Sequence, residues 1–153
     1  MSTNEVGELL YTVTLNLNIT GMKEYGVSFA ALMAEEVALP DEGARFDVPF
    51  EGTANGPKVI GAIEGIDYLR VRADGRFELH IHETIRTEDG QNISAHGDGV
   101  ATLRPEGSIA DLRVNMTLFA SSKEYTWVNQ LQVRGIGTLD LAKRVIQVAA
   151  YSA

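Results

Sequence analysis

A chain of 153 residues, 44% hydrophobic and 22% charged, has the size and balance of one folded domain spanning 1–153 rather than of a disordered segment. Its net charge of −8 repels a phosphate backbone and an anionic membrane surface, so neither nucleic acid nor membrane is an expected partner. It has no cysteine, which removes disulfides, thiol nucleophiles and zinc thiolate sites together.

Along the chain, Met1–Val6 has no basic segment followed by an apolar core, so no export signal is expected and the cytoplasm is the expected location. No apolar run approaches the roughly 20 residues that span a bilayer. From Leu9, apolar residues alternate with Thr and Asn through Tyr11, Val13, Leu15, Leu17 and Ile19, the pattern of a half-buried strand. Further strand-like runs cover 25–38, 44–50, 57–72, 76–88, 91–104, 108–120, 125–138 and 143–151. Within the first of these, 29–38 holds good helix formers and is ambiguous. Turn chemistry separates the runs: Pro40-Asp41-Glu42-Gly43, Ala73-Asp74-Gly75, Glu88-Asp89-Gly90 and Pro105-Glu106-Gly107. Gly52–Pro57 is glycine-rich but lacks a P-loop lysine and its strand–loop–helix context. Many short strands in sequence, each with one apolar face, predict an all-β antiparallel up-and-down barrel with a ligand-sized lumen and little helix.

Hairpin register tests this, because a slip of one residue turns every side chain to the wrong face. A three-residue loop at Ala73–Gly75 sets Val71 opposite Phe77 and Asp67 opposite Ile81. The same loop at Glu88–Gly90 sets Ile85 opposite Ile93, Glu83 opposite Ala95, Ile81 opposite Gly97 and Leu79 opposite Gly99. A four-residue loop at Arg104–Gly107 sets Ala95 opposite Met116 and Gly97 opposite Val114. One apolar face results, and it carries two acids, Asp67 and Glu83, as diagonal neighbours. Ala95, Gly97 and Gly99 lie beside them, where missing side chains leave space. Acids next to a void predict a pocket in which one carboxyl is pushed up and serves as a general acid or base.

All three histidines fall on the opposite face, with His82 set across from His96 and two residues from His80. Three imidazoles in that arrangement resemble a zinc site. The same face holds Thr84, Arg86, Ser94, Asp98, Arg113 and Asn115, the mixture of a solvated sheet surface, with Asp98 expected to pair with Arg113. The primary reading is therefore no metal and no cofactor, with His80, His82 and His96 kept as the alternative. Trp127 and Asn129 alternate with Leu131 and Val133, so both are expected to point to the core side, as is Tyr11 from the first strand.

Several segments, in order, resemble one family: Glu51-Gly52, Gly56–Gly61, Asp67–Gly75, Thr87–Gly90 and Tyr125–Asn129. Through roughly residues 10–150 the chain is similar to the bacterial domain-of-unknown-function 3237 family. The resemblance implies a small barrel of the allene-oxide-cyclase-like kind and no established activity. Related barrels include ligand carriers and cofactor-free cyclases or isomerases, an analogy of fold alone. Asp67, Trp127 and Asn129 stand in the shared motifs, whereas His82 and Glu83 replace the family's Arg and aromatic residue.

The function expected is that of a small-molecule-binding barrel acting as a cofactor-free isomerase, cyclase or lyase on a small apolar substrate with a carbonyl or hydroxyl. Glu83 is the expected acid or base, with Asp67 its charge partner. Asn129 and Tyr11 hold developing charge, and Trp127, Ile81, Gly97 and Met116 form the walls. The alternative is a non-catalytic ligand-binding protein. Leu10, Val100, Val128 and Val145 read as apolar residues on the outer face. Together with an expected open edge they predict a homodimer or homotrimer.

Overall fold

The computed structural model describes residues 7–153, so the reading of Met1–Val6 lies outside the described residues. The chain forms β1 (Leu9–Leu17), β2 (Lys23–Tyr25), α1 (Phe29–Met33), β3 (Ala44–Pro57), β4 (Ile60–Val71), β5 (Phe77–Thr87), β6 (Asn92–Leu103) and β7 (Ile109–Phe119), then a short 3-10 helix (Thr126–Gln130), β8 (Val133–Asp140) and β9 (Val145–Ser152). β3 to β9 form an antiparallel meander, and β1 closes it by pairing with β9 on one side and β3 on the other. β2 stands outside the eight-stranded barrel, on the upper part of β3.

Alternation decides which face goes inside. Leu79 and Ile85 of β5 are buried while His80, His82, Thr84 and Arg86 between and beside them are exposed. The apolar face lines the interior, and the core runs through Tyr11, Val13, Phe46, Phe50, Ile63, Ile93, Leu112, Val114 and Leu118. The hairpins at Ala73–Gly75 and Glu88–Gly90 are three-residue loops with Gly75 (φ 91°) and Gly90 (φ 87°) in the left-handed region, where a β-carbon is disfavoured. Their registers are those expected: Val71 with Phe77, Asp67 with Ile81, Glu83 with Ala95 and Ile81 with Gly97.

Four expectations are corrected. The third hairpin turns over Pro105–Ser108, with the Arg104 N–H on the Ile109 carbonyl, so Ala95 faces Leu118 and Gly97 faces Met116. The slide is two residues, which preserves the inward face but sets Asp98 opposite Asn115 rather than beside Arg113. The run 25–38 leaves the sheet after Tyr25 and forms α1, capped by the Ser28 hydroxyl accepting from Ala31 N–H. The Gly52–Pro57 stretch is strand, continuing β3. The fourth concerns two premises of the expected assembly and leaves the homo-oligomer itself an expectation: Leu10 and Val128 are 2% and 1% exposed, covered within the chain, and β1 pairs on both sides, with β9 and with β3.

The glycines of the β6–β8 wall have a different task from the one expected of them. A β-carbon on Gly97 would meet the Asn115 carbonyl and the Met116 sulfur, and one on Gly99 would meet the Arg113 carbonyl and Val114. These positions let neighbouring strands close in and curl. The space expected at Gly97 is filled by β7.

Candidate functional site

The barrel interior holds a cavity of about 110 Å³. For scale, an engineered apolar cavity of about 150 Å³ takes up benzene. Among the described residues lining it, only Tyr11, Asp67 and Glu83 bear polar side chains; the rest are aliphatic, aromatic, Met or Gly.

β5 brings Glu83 inward from between exposed His82 and Thr84, opposite Gly65 on β4 and Ala95 on β6. Those small neighbours leave its side chain room to turn inward. Protein encloses Glu83, yet the residue keeps some accessible area; it lines the interior cavity and also a groove beside His82 and Ser94. Burial pushes its carboxyl up to about 7, with no hydrogen bond or cation opposing the shift. Asp67, inward on β4, is tied down. Its Oδ1 accepts the His80 backbone N–H at 3.0 Å, where the β4–β5 ladder skips two residue pairs. Burial pushes Asp67 up to about 7 as well, against that bond and the nearby His80 ring, which favour the charged form. Tyr11 is 3% exposed, and burial followed by the Glu83 charge raises its hydroxyl above the ordinary phenol value.

The electrostatics therefore differ from a carboxylate pair in mutual repulsion. Desolvation raises each acid separately, and the group that feels Glu83 is Tyr11. Two carboxyls, both pushed up by burial, and one phenol line a single apolar space. That arrangement can remove a proton from carbon and hold the resulting oxygen charge.

A family model described as a protein of unknown function, DUF3237, matches residues 27–152. The chain belongs to the DUF3237 family. No curated protein matches it in sequence. This DUF3237 barrel is similar to a β-barrel-like protein from Acinetobacter baumannii AYE at 23% identity and TM-score 0.76, covering 99% of this chain and 98% of that one. A protein with unknown function from Clostridium acetobutylicum ATCC 824 is similar at 21% identity and TM-score 0.77, with 95% and 96% covered. An enzyme from Penicillium herquei is similar at 19% identity and TM-score 0.61, with 99% and 98% covered. At these identities the likeness shows the fold.

Of the residues expected in the DUF3237 site, Tyr11, Asp67, Ile81, Glu83 and Met116 line the cavity. Gly97 pairs with both Ile81 and Met116 but is not among the lining residues. Asn129 and Trp127 are elsewhere, because 126–130 is a 3-10 helix and period-two alternation does not apply to it. Asn129 donates through Nδ2 to the Ala120 carbonyl and accepts the Ala120 N–H at Oδ1, both at 2.8 Å, pinning the helix to the end of β7. Trp127 packs half-buried against the core beside it. Asn129→Ala is expected to cost about 1–3 kcal/mol of stability through two lost backbone contacts. Urea unfolding measures it, with ligand uptake by the cavity unchanged.

The histidines stay outside. His82 and His96 stack with ring centroids 5.8 Å apart, while His80 Nδ1 lies 3.2 Å from the Tyr68 carbonyl. They do not converge, and among the described residues no group of three His, Asp or Glu side chains is arranged to hold a metal ion. Sequence reasoning missed Met22 and Phe29, which reach the cavity from outside the barrel strands. Met22 falls between the strand-like runs and Phe29 inside the run 25–38 that leaves the sheet, so strand alternation gives neither away.

Proposed function

We propose that the barrel is a cofactor-free acid/base catalyst acting on a small, uncharged, mostly apolar substrate that carries a carbonyl or hydroxyl. The observation that carries this reading is Glu83: a carboxyl raised to about 7, without a hydrogen-bond partner among the described residues, on a cavity whose walls are otherwise almost wholly apolar. A carboxyl with that pKa is divided between its two forms at neutral pH, the condition under which a group can both take and return a proton. As carboxylate, Glu83 takes a proton from a carbon next to the substrate carbonyl. The electron pair moves onto the oxygen, which accepts a hydrogen bond from the Tyr11 hydroxyl or from protonated Asp67. Return of the proton to a different carbon completes an isomerisation. Attack of the enolate carbon on an electrophilic carbon of the same molecule, whose π pair moves to its own heteroatom and takes the proton from Glu83, closes a ring. Departure of a neighbouring group with its bonding pair, protonated by Glu83, completes an elimination. The similar fold of an enzyme supports catalysis rather than storage.

Cyclopentanone in D2O tests the reading, with deuterium gain followed by mass spectrometry. The protein is expected to speed exchange next to the carbonyl well beyond buffer at the same pH. Binding with exchange held at the buffer rate would make the barrel a carrier.

A further inference from the structure

The cavity has one approachable end. Four lining residues, Ile19, Met22, Phe29 and Leu141, come from outside the barrel strands. Leu141 is in the β8–β9 turn, and the other three belong to the 18–43 connection that leaves the top of β1 and returns at the top of β3. No lining residue comes from the loops at the other end, over 58–59, 88–91 and 120–132. That end is closed by Val59 and Val128, each 1% exposed, and by Ile85 and Ile93, which have no exposure.

The 18–43 connection is lightly held by comparison. β2 is wholly exposed, and α1 has no fully buried residue. Its ties to the barrel are the Asn18 N–H on the Pro49 carbonyl, three β2 pairs on β3, the Tyr25 hydroxyl donating to Asp47 Oδ2 at 3.0 Å, Phe29 edge-on to Phe46 at 5.1 Å between ring centroids, and the side chains of Met22, Val27, Phe29, Leu32 and Leu39, which pack on the core but stay only partly buried. Glycines with positive φ bracket the helical part, Gly26 at 98° and Gly43 at 82°. Fewer buried apolar contacts make such a segment cheaper to open than the barrel wall. The side chains it lays on the cavity are Ile19, Met22 and Phe29, and the last two are large and unbranched at Cβ.

We infer that the 18–43 connection is the lid of the cavity and that Met22 and Phe29 are its specificity-determining residues, limiting the substrate to an uncharged molecule of about one small ring. The inference rests on the cavity as the site of chemistry proposed above, and adds the entrance and the size of what enters. A cavity of about 110 Å³ is smaller than one that holds benzene, so a two-ring ligand needs space that only the lid side chains can vacate. An anion is rejected by Glu83 and Asp67 once they ionise, with no cationic side chain among the lining residues to offset them.

The test is a binding series on the whole chain by NMR titration with cyclopentanone, 1-tetralone and cyclopentanecarboxylate. Unmodified protein is expected to bind cyclopentanone at least tenfold more tightly than 1-tetralone, and the carboxylate not at all at a pH above 8. Phe29→Ala and Met22→Ala are expected to improve 1-tetralone binding at least tenfold, and Phe29→Leu to fall between. Glu36→Ala, on the exposed side of the connection, is the control and leaves the series unchanged. Folded Phe29→Ala and Met22→Ala proteins that keep the original order of affinities would overturn the inference, as would failure of every chain to bind any ketone. Loss of exchange chemistry with the size series intact would instead count against the acid/base reading alone.

Discussion

Glu83→Gln is expected to slow deuterium exchange into cyclopentanone by about 10²- to 10⁴-fold, the range for removing a positioned general base. The amide keeps the shape of the acid and loses only the proton, so affinity for the ketone is expected to hold. In the unmodified protein the exchange rate is expected to rise with pH and level off above about 7, as the buried carboxyl ionises. The same substitution acts on stability with a determined sign. A carboxyl whose pKa is raised in the folded state binds more protons folded than unfolded between about 4.5 and 7. Its contribution is fully present below 4.5 and is lost as pH rises through about 7, with Asp67 adding a parallel loss. Above pH 8, Glu83→Gln is therefore expected to be the more stable protein, by on the order of 3 kcal/mol, and this advantage disappears below about pH 4.5. Thermal unfolding at the two pH values measures it, and equal stability at both would mean that Glu83 is not buried as described.

The second large effect belongs to the wall. Gly97→Val is expected to lower stability by roughly 3–5 kcal/mol or to prevent folding, since the new side chain meets backbone as well as the Met116 sulfur. Backbone cannot step aside as a side chain can. Ser94→Val, exposed on the same strand, is expected to stay within about 1 kcal/mol of the original. A Gly97→Val protein with an unchanged urea midpoint would contradict the account of how β6 and β7 meet.

Much of the barrel was legible in the order of residues, for identifiable reasons. Leu79 and Ile85 alternate with His80 and Thr84 across a wall wet on one side only, and Gly75 and Gly90 mark turns that need a left-handed residue. With face and register set, Asp67 and Glu83 had to point inward together. The Pro105–Ser108 turn was not legible to the same degree, because a two-residue slide keeps every side chain on its own face and leaves the pattern intact. The glycines misled for a related reason. A missing side chain reads as space along one strand, but at Gly97 the neighbouring strand has moved in. Trp127 and Asn129 followed a strand pattern by coincidence: a 3-10 helix repeats every three residues, and the residue it buries is Val128 between them. The 18–43 connection read in part as strand, over 25–38, and only the fold places Met22 and Phe29 on the cavity.

The central claim is that two acids are held in an apolar cavity and kept partly protonated at neutral pH. Titration of the side-chain carboxyl carbons of Glu83 and Asp67 by ¹³C NMR, assigned with Glu83→Gln and Asp67→Asn, tests it most directly. Both are expected to titrate near 7. Titration of both in the ordinary range of about 4 would mean that water reaches them freely, and would contradict the claim.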